Sequence, residues 1–226
     1  MSSESPTVHL IGDSTMAEKG ASERPQTGWG TPFAEYVDES VTVKNHACNG
    51  RSTRTFRELG HWEPAVEALA ENHYVFVQFG HNDESSKPRA TTEVEFTAHL
   101  ERYVEETRER GAEPVLLTPI TRRQFDGEGE PKETHPYSPL VRDVARQRDV
   151  PLIDADERSR ALLREMGPEA SKSLFLHLSP DEHANYPDGV TDDTHFSRAG
   201  ARRMAELVLD GLEALDHELA AHIVRD

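Results

Sequence analysis

Val8-His-Leu-Ile11 runs directly into Gly12-Asp13-Ser14-Thr15, and the reading of that junction decides the fold. A brief strand-forming run that stops on Gly-Asp-Ser reads as a β-strand ended by a tight turn. Comparable runs recur at Val41-Thr-Val43, Tyr74-Val-Phe-Val-Gln-Phe79, Val115-Leu-Leu-Thr118 and Pro151-Leu-Ile-Asp154. Longer amphipathic stretches lie between and after them. Glu93 to Arg110 places Val94, Leu100, Tyr103 and Val104 on one stripe and stops at Gly111. Ser138 to Arg148 behaves similarly, as does Ser197 to Leu215, where Ser197 is the expected N-cap. In that last helix Met204, Leu207, Val208, Leu212 and Leu215 form the expected buried side. Strands alternating with helices predict an α/β fold, with five parallel strands, right-handed crossovers and helices on both faces, a three-layer αβα sandwich. The near-continuous apolar strands agree, because such a sheet is covered twice. With no repeats or linker-like tracts, residues 1–226 are expected to form a single domain.

Composition narrows the partners. The formal net charge is −17, which repels nucleic acid and anionic membranes. It would also repel a long polyanionic substrate unless local basic residues offset the field. Lysine is rare and arginine supplies most of the positive charge. Salt adaptation explains this acidic surface, and so does genome base composition with a solvated acidic face. No apolar run approaches the roughly 20 residues that cross a bilayer. The start, Met1-Ser-Ser-Glu-Ser-Pro, carries neither the basic nor the apolar region of a secretory signal. The single Cys48 permits no intrachain disulfide. A cytoplasmic location is expected.

In open α/β sheets function sits beyond the carboxyl ends of the strands. The residues found there are Gly12-Asp-Ser-Thr15, Asn45-His-Ala-Cys-Asn-Gly50-Arg-Ser and Gly80-His-Asn-Asp83. Asp192-Asp-Thr-His195-Phe-Ser then leads into the last helix. Each piece alone also fits a turn or a cap, where Asn, Asp and Ser bond their own backbone. Together they supply what acyl transfer requires: a nucleophile with a base, an acid to orient the base, and donors for an oxyanion. Asp193 is a rival to Asp192 as the acid, although an adjacent offset projects differently. His177, His183 and His195 lack the spacing of a metal site, so neither metal nor cofactor is expected.

In order and spacing these four segments resemble the blocks of the SGNH, or GDSL-like, hydrolases. That resemblance implies sheet order 2-1-3-4-5, Ser14 as nucleophile, and Asp192 with His195 as acid and base. It implies Ser14, Gly50 and Asn82 as the oxyanion hole. Gly12-Asp-Ser-Thr15, Gly28-Trp29-Gly30, Asn49-Gly50-Arg51-Ser52 and Phe79-Gly-His-Asn-Asp83, with Asp192-x-Thr-His195-Phe, are similar to the rhamnogalacturonan acetylesterase branch. The implied substrate is an acetylated, pectin-derived carbohydrate, reached as imported oligosaccharide. A lysophospholipase or acyl-thioesterase on the same scaffold is the alternative, and a non-catalytic sugar-binding module is a third. Trp29 is a candidate sugar platform or a core residue. Arg51, Arg54, Arg122 and Arg123 are candidates for a sugar carboxylate. His81 flanks Asn82 and either touches substrate or packs locally. Asp13 ties down the nucleophile turn or simply caps it, and Asp83 braces its own loop. The Gly- and Pro-rich stretch 121–136 is an expected substrate-side loop.

Overall fold

The computed structural model describes residues 5–132 and 135–225; Met1–Glu4, Glu133, Thr134 and Asp226 lie outside them. The chain runs β1 (Thr7–Gly12), α1 (Gly30–Phe33), β2 (Thr42–Asn45), α2 (Thr53–Glu58), α3 (Glu63–Glu67), β3 (His73–Gln78) and α4 (Glu93–Glu109). It continues with β4 (Glu113–Leu117), α5 (Ser138–Arg148), β5 (Leu152–Ile153), α6 (Ala155–Ala170), β6 (Phe175–Leu178), β7 (Val190–Phe196) and α7 (Arg198–Ala214). β1 to β5 form one parallel sheet in the order β2-β1-β3-β4-β5. The five strands are those the sequence pattern predicts, and their order is the one the family resemblance implies.

Alternate side chains of the sheet feed two cores, as the two-residue period of a strand requires. Val8, Leu10, Phe76 and Val115 pack with Trp29 and Phe33 from the α1 side and with Met204 and Val208 of α7. Ile11, Val75, Val77 and Leu116 pack on the opposite face with Phe56, Phe96, Leu100, Tyr103 and Val141. Helices therefore cover both faces, and the αβα layering stands.

Several expectations need correction. Val94 is 79% exposed, and Phe96 takes its place on the buried stripe of α4. The helix begins at Glu93, capped by Thr92, so Val94 falls in a first turn that points away from the sheet. Leu215 is not core either: α7 ends at Ala214, Leu215 is its C-cap, and the side chain is 42% exposed. Ser197 does cap α7, accepting from the Gly200 amide. β2 starts one residue later than expected and is half exposed, which is what an edge strand permits.

The sequence reading did not foresee β6 and β7. They pair antiparallel as a separate ribbon. Phe175 faces Phe196 while Leu176 faces Asp192, so Asp193, Thr194 and His195 are looped out of register. The Asp192–His195 stretch thus lies in an interrupted strand. The Thr27 amide donates to the Phe196 carbonyl at 3.0 Å and fastens this ribbon to the loop that follows Ser14.

Candidate active site

Ser14 lies in the turn at the carboxyl end of β1, and Asp13 organises that turn. Its carbonyl accepts from the amides of Met16 and Ala17, while its Oδ1 accepts from the Thr15 amide at 2.9 Å and the Thr15 hydroxyl at 2.8 Å. Asp13 therefore does tie down the turn through backbone N–H groups. Burial pushes its carboxyl up against the pull of the Thr15 hydrogen bonds, and Oδ2 has no partner among the described residues.

The segment after β2 is stitched to the same turn. The His46 amide continues the strand pairing to the Leu10 carbonyl, and the Cys48 amide reaches the Gly12 carbonyl at 3.0 Å. Asn45 Nδ2 donates to the Met16 carbonyl at 3.0 Å. Gly50 then takes φ +72°, a left-handed conformation that side chains other than glycine's rarely adopt. Asn82 is buried, and its Nδ2 donates to the Arg51 carbonyl at 2.9 Å. An amide nitrogen carries two hydrogens, so one remains to donate elsewhere.

His195 closes the arrangement. Its Nε2 lies 2.9 Å from Ser14 Oγ and its Nδ1 lies 2.7 Å from Asp192 Oδ2. Asp192 Oδ1 accepts from the amides of Thr194 and His195. Burial alone would raise the Asp192 carboxyl, but the bonds from the His195 ring and backbone and from the Thr194 amide outweigh it and hold it at about 2. The neighbour, Asp193, is engaged elsewhere: Oδ1 accepts from Arg123 at 2.8 Å and pairs with His177 at 2.9 Å. The structure thus brings Ser14, His195 and Asp192 into one hydrogen-bonded line and leaves Asp193 out of it. Such a line can take a proton from the serine and hold the imidazolium that results.

The tentative sugar contacts fare differently. Trp29 is no sugar platform: it is fully buried, and its indole N–H donates to Gln78 Oε1 at 2.8 Å. Gln78 also accepts from the Thr15 hydroxyl, so Trp29 supports the Ser14 turn from beneath. A side chain on the preceding Gly28 would overlap the Ala17 carbonyl, so glycine there lets the backbone pack against the Met16–Ala17 segment. His81 is also buried, its Nδ1 2.6 Å from His135 Nε2, and burial holds both rings well below the usual imidazole range. Arg51 Nε donates to His61 Nε2 at 3.1 Å, and Arg122 pairs with Glu84 at 2.8 Å. Arg54 is spent on Glu58 and on the carbonyls of Pro88 and Ala90.

Asp83 braces more than its own loop. It accepts from the Thr53 amide and hydroxyl at the start of α2 and from the Thr91 hydroxyl. Burial raises its carboxyl to about 6 in spite of these bonds. The sequence reading missed Lys19, whose Nζ donates to the Ser14 carbonyl oxygen at 2.6 Å and to Asn49 Oδ1. No motif spacing marks it. A cleft of about 410 Å³ adjoins this region, lined in part by Lys19, Arg24, Thr27, His183 and Arg198. The segment from Ala21 to Arg24, which leads into this cleft at Arg24, is held by Asn185 and Tyr186 from the loop between β6 and β7. Among the described residues, no helix is long and apolar enough to cross a membrane.

Comparison with known proteins agrees with the fold. Residues 10–203 match the model of the GDSL-like lipase/acylhydrolase family. The chain is 41% identical to the rhamnogalacturonan acetylesterase RhgT of Bacillus subtilis over 96% of its own length and 94% of that protein's. It superposes on the crystal structure of the protein YxiM from Bacillus subtilis with a TM-score of 0.81 at 27% identity, covering 93% of this chain and 57% of that one. An acetylxylan esterase from Geobacillus stearothermophilus shares the fold, with a TM-score of 0.67 at 20% identity, covering 92% of this chain and 94% of the other. By its family match and by an identity that runs nearly end to end, this chain belongs to the GDSL-like lipase/acylhydrolase family, a family of carboxylic ester hydrolases.

Proposed function

We propose that the chain is a one-domain serine esterase that removes O-acetyl groups from pectin-derived, rhamnogalacturonan-type carbohydrate. The observation that carries the chemistry is the line from Ser14 Oγ through the His195 ring to Asp192, with links of 2.9 and 2.7 Å. In this reading Ser14 Oγ attacks the acetyl carbonyl as His195 Nε2 takes its proton. Asp192 fixes the tautomer and stabilises the imidazolium. The amides of Ser14 and Gly50 and the remaining Asn82 N–H receive the negative charge of the tetrahedral intermediate. As the acyl C–O bond breaks, His195 gives that proton to the departing sugar oxygen, which leaves as a hydroxyl. Water, deprotonated by the same ring, releases acetate from the serine.

The substrate class draws its support from the 41% identity to a protein named rhamnogalacturonan acetylesterase. Acetate release from acetylated rhamnogalacturonan, acetylxylan and acetylated chitin fragments tests this directly. The rhamnogalacturonan fragments are expected to be the best substrates by kcat/KM, and p-nitrophenyl acetate is expected to outpace the octanoate and palmitoate esters. A preference for long chains would replace the carbohydrate reading with the lipase or thioesterase one.

A further inference from the structure

Lys19 is one of only five lysines in the chain, and it is 5% exposed. Burying an ammonium is costly unless hydrogen bonds replace its lost hydration. Here the replacements belong to two different segments of the site. One is the carbonyl of Ser14 itself, at 2.6 Å; the other is the side chain of Asn49, the residue before Gly50. Asn49 is held in turn, its Nδ2 donating to Glu23 Oε1 at 2.6 Å. The nitrogen end of the same Ser14–Thr15 peptide is also held, by Asp13 Oδ1 at 2.9 Å. The peptide that follows Ser14 is therefore clamped at both its oxygen and its nitrogen. Such a clamp fixes ψ of Ser14, and with it the direction of Oγ relative to the turn.

We propose that Lys19 is a positioning residue that locks the Ser14 turn to the Asn49–Gly50 turn, so that the nucleophile and two amide donors for the oxyanion form one rigid unit. This rests on the reading of Ser14 as the nucleophile. A neutral donor would supply the geometry alone. An ammonium adds a positive charge beside the site where negative charge develops, in surroundings where charge is weakly screened. The groups that face this ammonium are Glu23, Asp13 and Cys48. Burial pushes it down to about 8 against their pull. As pH rises through that value the amine still donates hydrogen bonds, but the charge is lost.

The test measures kcat and KM for p-nitrophenyl acetate, and the rate at which a fluorophosphonate labels Ser14, from pH 6 to 10. The proteins compared are the wild type, Lys19→Met and Glu23→Gln. Both rates in the wild type are expected to break near pH 8. Lys19→Met is expected to lower kcat and labelling by about 10–100-fold with KM within about threefold, the range for misplaced reacting groups, and to abolish the break. Glu23→Gln keeps the lysine but removes a carboxylate that favours its charged form, so the break moves to lower pH. Labelling of Lys19→Met at the wild-type rate, or slower labelling with the break intact, overturns the proposal. If Lys19→Met does not fold, a Glu23→Gln profile that superimposes on the wild type overturns it equally. Absence of label on Ser14 in the wild type defeats the nucleophile reading and this inference with it. Label on Ser14 with no response to Lys19→Met defeats this inference alone.

Discussion

Ser14 and His195 meet at 2.9 Å from two unlike supports. The serine leaves β1, an interior strand, buried at every residue, of a five-stranded sheet. The histidine rides a looped-out stretch of a two-stranded ribbon whose residues are mostly half exposed. The serine side is held by its own turn, through Asp13, Thr15 and Lys19, and by distant segments, through Gln78 and Trp29 below and Asn45 alongside. On the histidine side Asp192 accepts from its own neighbours Thr194 and His195, while Arg123, His177 and Thr27 hold the adjoining residues Asp193 and Phe196 from outside. One half of the site is built on the parallel sheet, and the other on a ribbon fastened beside it.

Four substitutions sharpen or break this contrast. Ser14→Ala is expected to lower kcat about 10⁶-fold, as loss of a nucleophile does elsewhere, while the melting temperature holds. Full activity in the purified variant would end the mechanism. Asp192→Asn is expected to cost about 10⁴-fold by selecting the wrong imidazole tautomer. Asp193→Asn in parallel should cost at most a few-fold, because Asp193 faces Arg123 and His177 instead. Equal losses in the two would show that the ribbon acts as a whole. Asn82→Ala is expected to lower kcat about 10²–10³-fold with KM little changed, the range for one lost oxyanion donor.

The smallest effect concerns stability beneath the serine side. The folded Asp83 carboxyl titrates near 6, above its ordinary value of about 3.9. Between those values the folded state binds more protons than the unfolded one, so this group makes stability fall as pH rises from about 4 to 6. Asp83→Asn removes the titration and can keep an oxygen facing Thr53 and Thr91. The melting temperature of the variant minus that of the wild type should therefore climb over this window and level off above it. A flat difference would mean that Asp83 titrates normally.

The contrast also decides what the sequence could reveal. Strands covered on both faces must be apolar throughout, so β1, β3 and β4 stand out as runs. β2 is an edge strand with alternate residues exposed, and only Val41-Thr-Val43 of it looked like a strand. β7 reads Val-Thr-Asp-Asp-Thr-His-Phe, with no apolar alternation, because pairing with β6 rather than intrinsic propensity makes it extended. The residues that meet at the site, Ser14, Asp192 and His195, stand out in the sequence as letters beside predicted elements, while Gly50 and Asn82 are singled out by the family resemblance. Their supports do not stand out. Trp29 stays open between sugar platform and core residue until Gln78, far away in the chain, is seen to take its N–H. Lys19 carries no pattern at all, because what matters about it is burial. Val94 shows the limit of a helical stripe near a helix start, where one turn can face away from the sheet.

The looped-out residues 193–195 have a further consequence. Insertions and deletions in a parallel sheet propagate to every neighbouring strand, but this stretch is already out of backbone register with β6, which it meets through the Asp193 side chain and His177. A change of length there would swing the imidazole away from the serine while β1 to β5 and both cores kept their packing. Such a molecule would hold its ligand without turning it over, and an inert receptor for the substrate could be made from this scaffold by altering loop length alone.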